Sequence, residues 1–334
     1  MKKPKQADVA RLAGVSQATV SQVLNNTSNF SVPIETRQRI QDAVKHIGYV
    51  PNDLARSLRT RRTQTLASVI PDIANPFYPA LERGIQNVAD AHGFDLIVYN
   101  TDGALEKEKR CLQSLLRGRV DGVIGVFFHL GPQDLKVLSE HNLAVVILYE
   151  AELEPNSSFD RVFVDNVKAA RAAVEHLLER GHRRVTMLSG PRGTLPNRIK
   201  GYLQALHAHS PALEPHIVEA QDFTEACGYS AMQEVLAGAE RPTAVFAAND
   251  LMAMGALSAL REAGLRVPQD VALMGFDDIP ASRLLTPALT TVTQFQEEMG
   301  RQAAELLLER LGGSVTAAGR AVEMPFEVVV RDST

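Results

Sequence analysis

The chain has 334 residues, of which 45% are hydrophobic and 22% are charged, and its formal net charge at pH 7 is −4. This length and composition predict a globular protein with a large hydrophobic core and one small accessory domain. No apolar run approaches the roughly 18 residues needed to span a bilayer, and the N-terminus lacks the apolar region of a secretory signal, so we expect a cytoplasmic protein with no membrane partner.

Positive charge is concentrated at the start of the chain. Residues 1–62 contain 11 Lys and Arg against 4 Asp and Glu, whereas the remaining residues carry 24 against 35. Neutralising DNA phosphates needs local rather than overall positive charge. A basic first fifth followed by an acidic body is therefore typical of a modular DNA-binding protein.

Residues 8–26 predict two short helices joined by a tight turn. Val9 and Leu12 recur at helical spacing, Gly14 stands where a left-handed C-cap is wanted, and Ser16 is placed to cap a second helix. An ordinary helical hairpin in a small core is the alternative interpretation. The second helix would suit the major groove, because its outward face is small and polar. The residues that we expect to contact DNA here are Ser16, Gln17, Ala18, Thr19, Ser21, Gln22 and Asn25.

Two further helices are predicted before the body of the protein. Residues from about 34 to 48 carry apolar side chains at helical spacing and close with Gly48, which indicates a third packing helix. Pro51 then blocks helix continuation, and Asn52 can cap a short helix that runs to about Arg59. A helix of about eight residues is too short to be stable alone, so we expect disorder in the absence of DNA.

In the body, short apolar runs alternate with amphipathic helical stretches. This alternation predicts an α/β fold with parallel sheets and right-handed crossovers. The candidate strands are Leu66 to Ile70, Asp95 to Tyr99, Gly122 to Val126, Val145 to Leu148, Val185 to Leu188, Ala244 to Ala247 and Val271 to Met274.

Ordered segments along the whole chain resemble the lactose/galactose repressor (LacI/GalR) family. In the head they are DVARLAGVS, TVSQVLN and YVPNDLARSLRT, and in the body they include IPDIANPFYPALERG, VDGVIG, VFAANDLMAMGAL and VPQDVALMGFDDIP. The resemblance implies a three-helix helix-turn-helix headpiece with a hinge helix, followed by a core similar to periplasmic sugar-binding proteins, with two subdomains of doubly wound parallel sheet. The implied boundaries are 1–50 for the headpiece, 51–63 for the hinge and 64–334 for the core, with subdomain 1 at about 64–162 and 293–322 and subdomain 2 at about 163–292 and 323–334.

The resemblance also implies a function and its partners. We expect a sequence-specific transcriptional regulator, a repressor, whose affinity for operator DNA is controlled by a small effector. A homodimer bound to a near-palindromic operator is implied, and Asn52, Ala55 and Leu58 of the hinge are implied to contact DNA, with Leu58 wedged into the minor groove. The alternative for Leu58 is packing on the body. Induction and corepression both stay open.

Ligands of such folds bind where loops leave the carboxyl ends of strands. A sugar is the leading effector class, because aromatic rings can stack on its apolar faces while charged and amide groups bond to its hydroxyls. A nucleoside remains open, with Tyr149 stacking on a base, because Tyr149 and Glu150 stand where sugar-binding relatives often place an Asp and an Arg. The expected effector-binding residues are Asn75, Phe77, Tyr78, Tyr149, Glu150, Arg198, Phe223, Asn249, Asp277 and Gln294.

The sequence does not favour other functional classes. It pairs no nucleophile with a base and has neither a metal-ligand cluster nor a phosphate-cradling glycine motif, so we predict no catalytic residue, metal or cofactor. Asp277 and Asp278 are adjacent and should point apart, and Cys111 and Cys227 lack metal-ligand spacing. A solute-binding protein would use the same cleft, but it would not need a basic head.

Overall fold

The chain forms two compact units, Met1–Thr63 and Gln64–Thr334, in a computed structural model. Each unit has a hydrophobic core of its own. No helix among the residues described is long and apolar enough to cross a membrane. The structure describes residues 4–24, 32–50, 62–150, 157–190, 195–313 and 318–334.

The first unit contains the helices α1 (Gln6–Ala13), α2 (Gln17–Leu24) and α3 (Ile34–Ile47). Gly14 ends α1 with a φ of 65°, and Gly48 ends α3 with a φ of 64°, so both adopt the predicted left-handed C-cap conformation. Ser16 caps α2, because its Oγ accepts a hydrogen bond from the Thr19 N–H at 3.1 Å. The predicted helix-turn-helix is confirmed.

The core of this first unit is small. Val9, Ala10 and Ala13 form the inward face of α1, and they pack against buried side chains of α2 and α3 such as Val20 and Ile40. Leu12 does not belong to that face, since 52% of it is exposed. Successive residues of a helix are rotated by about 100°, and this rotation brings position 10 rather than position 12 to the side that faces the core.

The second unit alternates strands with helices for most of its length. In chain order its elements are β1 (Thr65–Ile70), α4 (Phe77–Ala91), β2 (Asp95–Asn100), α5 (Leu105–Leu115), β3 (Gly122–Gly125), α6 (Pro132–Glu140), β4 (Ala144–Ile147), β5 (Asp160–Val164), α7 (Asn166–Glu179), β6 (Val185–Ser189), α8 (Leu195–His209), β7 (His216–Glu219), α9 (Glu225–Ala237), β8 (Ala244–Ala247), α10 (Asp250–Glu262), β9 (Ala272–Met274), a 3-10 helix (Pro280–Arg283), β10 (Thr291–Thr293), α11 (Gln296–Leu311), β11 (Ala321–Met324) and β12 (Glu327–Val329).

These strands form two parallel sheets and one antiparallel pair. The larger sheet has six strands in the order β11-β5-β4-β3-β1-β2, and the smaller has four in the order β7-β6-β8-β9. Strands β10 and β12 pair with each other in antiparallel register. Because every neighbour within the two larger sheets is parallel, the predicted doubly wound architecture is confirmed.

The seven predicted strands correspond to β1, β2, β3, β4, β6, β8 and β9. Strands β5, β7, β10 and β11 were not predicted, because each is short and contains only one to three apolar residues. The predicted subdomain boundaries near residues 162 and 322 fall inside β5 and β11, which pair with each other in the larger sheet. Both strands belong to that sheet as far as Val164 and Met324.

Helices α4 and α11 pack backbone to backbone on the larger sheet. A Cβ atom on Gly84 would overlap the carbonyl oxygen of Glu297, and one on Gly300 would overlap that of Leu81. Glycine at both positions therefore permits the close approach of the two helices. Since parallel strands end at the same edge of a sheet, the loops that follow β1, β3, β4, β8 and β9 can contribute side chains to one shared cleft.

Candidate functional site

The first unit presents a candidate DNA-binding face on α2. Gln17 and Ala18 are exposed at its start, and Ser21 and Gln22 are half-buried one turn later. Short polar side chains at the start of a helix can approach base edges without steric clash. The predicted contacts Asn25, Asn52, Ala55 and Leu58 lie outside the described residues.

The second unit contains a cavity of ≈ 330 Å³ between its two sheets. All of the predicted effector-binding residues except Glu150 line it. The lining residues are Pro71, Asp72, Asn75, Phe77, Tyr78, Asp102, Gly103, Val126, Phe128, Leu148, Tyr149, Val164, Asn166, Arg198, Asp222, Phe223, Thr224, Asn249, Asp277, Gln294 and Met299.

Arg198 lies in the cavity wall on α8 and is held in a fixed position. Its Nε donates to Asn166 Oδ1 at 2.8 Å, and its Nη1 donates to the Ala248 carbonyl at 2.5 Å. The guanidinium lies 3.7 Å above the ring centroid of Phe276, within range of a cation–π contact. Burial lowers the pKa of this guanidinium, while the nearby carboxylate of Asp277 acts to raise it. Arg198 is thus a preorganised donor.

Asp277 follows β9 and lies beside Arg198 in the cavity wall. Its Oδ1 accepts from Gln294 Nε2 at 2.8 Å and lies 3.7 Å from Arg198 Nη2. Burial raises the pKa of Asp277 to about 7, against the opposing effect of Arg198. The neighbouring Asp278 turns away and pairs with Arg331 at 2.5 Å, so the two acids point apart as predicted. Asp277 can therefore exchange hydrogen bonds with a ligand hydroxyl near neutral pH.

Asn249 and Asn75 act partly as positioning residues. Asn249 Oδ1 accepts from the Met252 N–H at 2.8 Å, and its Nδ2 donates to the Phe223 carbonyl at 3.0 Å. Asn75 Oδ1 accepts from the Phe77 N–H at 3.0 Å. Asn249 is thus the N-cap of α10 and also fixes the loop that carries Phe223, while Asn75 fixes the turn that leads into α4. Both asparagines also line the cavity.

Two phenylalanines from opposite sides of the cleft meet in the cavity. The ring centroids of Phe128 and Phe223 are 6.4 Å apart, with an interplanar angle of 53°. A Cβ on Gly103 would crowd the Phe128 ring at 3.1 Å, and one on Gly190 would crowd the Phe223 ring at 2.6 Å. Each ring is therefore seated directly on a glycine. Phe128 had not been predicted, because it follows β3 within an apolar run that indicates only a strand.

The loop that carries Phe128 is fixed by Glu108 of α5, which is fully buried. The Glu108 carboxylate accepts hydrogen bonds from three consecutive backbone N–H groups, those of Phe128 at 2.7 Å, His129 at 3.1 Å and Leu130 at 2.9 Å. Several donors on one carboxylate stabilise its charge in a buried position. Glu108 therefore holds one aromatic wall of the cleft in place.

Tyr149 and Glu150 depart from the expected pair of ligand-binding residues. Tyr149 packs against a cluster of buried apolar side chains that includes Phe127 and Leu135. Its hydroxyl donates to the Leu130 carbonyl at 3.4 Å, and burial raises its pKa to about 12. Glu150 instead accepts from Asn197 Nδ2 at 2.9 Å and is absent from the cavity wall. The expectation that Glu150 lines the pocket is corrected by this contact, which joins the loop after β4 to α8.

Several lining residues could not be selected from local sequence. Asp72, Asp102 and Asp222 lie in polar loops where an aspartate is ordinarily a turn residue. Asn166 is the first residue of α7, and at that position the sequence indicates a residue that begins a helix and not one that lines a cavity. Within the described ranges, no group of three or more His, Cys, Asp or Glu could hold a metal ion.

Comparison with known proteins identifies relatives of both units. Residues 7–52 match the family described as bacterial regulatory proteins, lacI family, and residues 174–334 match the periplasmic binding protein-like domain. The HTH-type transcriptional repressor CytR of Escherichia coli (strain K12) is 34% identical over 330 residues, which cover 98% of this chain and 95% of CytR.

Two solved structures extend the likeness to the fold. The lac repressor dimer bound to operator and the anti-inducer ONPF superposes with a TM-score of 0.87 at 27% identity, covering 100% of this chain and 99% of that one. The complex of the transcriptional regulator CelR with cellobiose superposes with a TM-score of 0.72 at 33% identity, covering 99% of this chain and 100% of that one.

Proposed function

Since the chain belongs to the lacI family of bacterial regulatory proteins, we propose that α2 reads its operator and that the cleft of its core binds the effector controlling operator affinity. The protein is a DNA-binding transcriptional regulator and not an enzyme, as its relatives are repressors. One observation carries the assignment of the cleft. Arg198, Asp277 and Gln294 form a preorganised polar set that shares a cavity with the facing rings of Phe128 and Phe223.

A sugar is the proposed effector class. Its hydroxyls can each donate and accept, which matches a wall that offers the Arg198 guanidinium, the Asp277 carboxyl and the Gln294 amide. Its apolar ring face would contact Phe128 or Phe223. The relative CelR has been solved with cellobiose, which supports this class by analogy.

A nucleoside is the second candidate, and the pair of phenylalanines favours it. Tyr149 was the expected platform for a base, but its ring packs against the core and its hydroxyl faces a carbonyl. Phe128 and Phe223 are better placed, because both line the cavity and come from opposite walls. Parting of the two rings would let a planar base enter between them, at a ring spacing that aromatic stacking allows.

Effector binding would act on DNA affinity through the relative stability of two states of the core. Contacts across the cleft, such as Phe128 with Phe223 and Glu150 with Asn197, would hold the walls together differently with and without ligand. A coupling free energy of ~1 to 3 kcal/mol would change operator affinity about 5- to 150-fold. Both induction and corepression are compatible with this scheme.

We propose that Gln17 and Gln22 contact adenines, because a glutamine amide can pair with adenine through two hydrogen bonds. The operator is near-palindromic and is bound in the cytoplasm by a homodimer in this proposal. Leu58, Asn52 and Ala55 of the hinge complete the DNA contacts, with Leu58 in the minor groove.

The proposal is tested by separating the two sites. A thermal-shift screen of sugars and nucleosides identifies a ligand, and operator binding is then measured with and without it. A ligand present at 100 times its dissociation constant should stabilise the core by about 2.7 kcal/mol. We expect Asp277→Asn to weaken ligand binding while operator affinity without ligand is kept, and Gln17→Ala to relax one operator position while ligand binding is kept. Equal loss of both activities in either variant would contradict the proposal.

A further inference from the structure

We infer that the cleft selects an uncharged effector and rejects the phosphorylated form of the same ring. This inference rests on the proposed function of the cleft and narrows its ligand class. Sugar phosphates and nucleotides are then excluded as effectors, whereas free sugars and nucleosides remain candidates. Three features of the cavity wall support this inference. They are the excess of acidic side chains, the hydrogen bonds that already hold Arg198, and the side chains that already bind an N–H group at three helix starts.

The charges of the wall are mostly negative. Four carboxyl groups line the cavity, those of Asp72, Asp102, Asp222 and Asp277, and Arg198 is the one cationic side chain among the described lining residues. Lys107 pairs with Asp102 from outside the wall. Asp277 lies within ion-pair distance of Arg198, at 3.7 Å. Asp72 and Asp222 are therefore the acids that line the cavity without a cation beside them in the described wall. An entering phosphate would meet like charge.

Arg198 is poorly placed to compensate a phosphate. A guanidinium binds phosphate best with two parallel N–H groups. The Nε of Arg198 is already bonded to Asn166 and its Nη1 to the Ala248 carbonyl, while its Nη2 lies 3.7 Å from Asp277 Oδ1. To bind a phosphate through the parallel pair of N–H groups that includes Nε, Arg198 would have to give up its hydrogen bond to Asn166. It can still donate one hydrogen bond to a hydroxyl.

The helix starts at the cavity each have one N–H group that is already bound. The N-terminus of a helix is a common phosphate site, because its first N–H groups have no partner within the helix. Here the side chains of three lining residues each accept from one of these N–H groups. Asn75 accepts from the Phe77 N–H of α4 at 3.0 Å, Thr224 from the Cys227 N–H of α9 at 3.3 Å, and Asn249 from the Met252 N–H of α10 at 2.8 Å.

An uncharged polyhydroxyl ring fits the same wall. Its hydroxyl groups can donate to the carboxylate oxygens of Asp277 and Asp72 and accept from Arg198 Nη2, so that neither partner has to displace an existing contact. The phosphorylated ring would keep these bonds but would add a charge that the described wall does not neutralise. The discrimination therefore lies in the phosphate group and not in the ring.

The test uses matched pairs of compounds on the full-length protein. Isothermal titration compares ribose with ribose 5-phosphate, glucose with glucose 6-phosphate, and adenosine and cytidine with their 5′-monophosphates. We expect any compound that binds to do so at least about a hundredfold more tightly than its phosphorylated partner, since opposed like charges at a binding site cost several powers of ten in favourable cases. Added salt should reduce the ratio of the two dissociation constants, because it screens the carboxylates of Asp72 and Asp222.

A variant separates charge from shape. In Asp72→Asn/Asp222→Asn, each side chain keeps the oxygen that caps its own loop, where Asp72 Oδ1 accepts from the Ala74 N–H at 2.9 Å and Asp222 Oδ1 from the Phe223 N–H at 2.7 Å. The ratio of the two dissociation constants should fall about tenfold. The control Asp90→Asn, which removes an exposed charge that does not line the cavity, should leave the ratio unchanged.

The outcomes are distinguishable. Binding of an uncharged compound with rejection of its phosphate, and a smaller ratio in the double variant, would support the inference. Tighter or equal binding of a phosphorylated compound would overturn it while leaving the cleft as an effector site. If no member of any pair binds, the proposed effector classes fail and the inference fails with them.

Discussion

The headpiece and the core hold their functional residues in place by different means. In the headpiece, α2 carries the residues that we propose to contact DNA in one continuous stretch above a small core of Val, Ile and Ala side chains. In the core, the polar wall is assembled from residues far apart in sequence, as where Arg198 bonds Asn166 and Ala248. Local helix geometry therefore sets one site, whereas a network of buried contacts sets the other. A single substitution should therefore lower the free energy of unfolding more in the buried network of the core than on α2.

This contrast predicts the largest loss of stability and of effector binding when the Arg198 side chain is removed. We expect Arg198→Ala to abolish effector binding and to lower the free energy of unfolding of the core by about 3 to 5 kcal/mol. The reason is that the change leaves Asp277 and Asn166 buried without their partner. Differential scanning calorimetry and ligand titration measure the two effects.

The matched control is Arg171→Ala. Arg171 forms an exposed pair with Glu175 within α7, and such pairs contribute at most about 0.5 kcal/mol. The unfolding of the headpiece should be unaffected in both variants. If the two substitutions lowered core stability equally, the network interpretation of Arg198 would be wrong.

The same contrast explains how far the sequence could predict each region. The turn at Gly14, the cap at Ser16 and the outward face of α2 follow from residues within one or two helical turns, so local pattern identified them. Only Leu12 was misplaced, since apolar spacing alone does not fix the rotation of a short helix.

In the core, apolar runs identified most strands of the two parallel sheets, and they missed strands with few apolar residues such as β5 and β7. For the cleft, the family resemblance supplied the aromatic and polar positions that line it. It could not supply Phe128 or Asp222, whose place in the wall depends on the loop geometry that Glu108 and Asn249 impose. Glu150 was assigned to the wall by position, but a long-range contact with Asn197 takes it elsewhere.

The core should also differ from the headpiece in the pH dependence of its stability. Glu82 should contribute a measurable share of the pH dependence of the core. Glu82 accepts from the Ser68 hydroxyl at 2.5 Å through Oε1, and its Oε2 is buried with no hydrogen-bond partner among the described residues. Burial raises the pKa of Glu82 to about 7, against the opposing effect of Ser68. In the unfolded chain the same carboxyl titrates near 4.3.

The folded state therefore binds more protons than the unfolded state between about pH 4 and pH 7, and the Glu82 contribution to stability is lost as the pH rises through that window. We expect Glu82→Gln to flatten this pH dependence and to stabilise the core by about 2 kcal/mol at pH 8. Urea unfolding at a series of pH values measures it, with the exposed Glu179→Gln as control. A pH profile identical to that of the unsubstituted protein would show that the pKa of Glu82 is the same in the folded and unfolded states, which would contradict the prediction.

The smallest effect is expected for the N-cap residue of α2, Ser16. Ser16→Ala removes the oxygen that accepts from the Thr19 N–H, which should destabilise the headpiece by about 1 kcal/mol and leave the unfolding of the core unchanged. Ser258→Ala is the matched control, because Ser258 is exposed within α10 and bonds only weakly to the Met254 carbonyl at 3.3 Å.

Ser16→Thr separates capping from DNA contact, since threonine keeps the hydroxyl and adds a methyl group. If Ser16 only caps α2, the threonine variant should restore both headpiece stability and operator affinity. If Ser16 also lies against the DNA, stability should return while operator affinity stays low, because the added methyl would occupy space at the groove. Hydrogen exchange of the α2 amides and operator binding, measured on the same variants, decide between the two roles. A loss of protection in the core amides would instead show that headpiece and core unfold together. It would contradict the independent unfolding of the two units that these predictions assume.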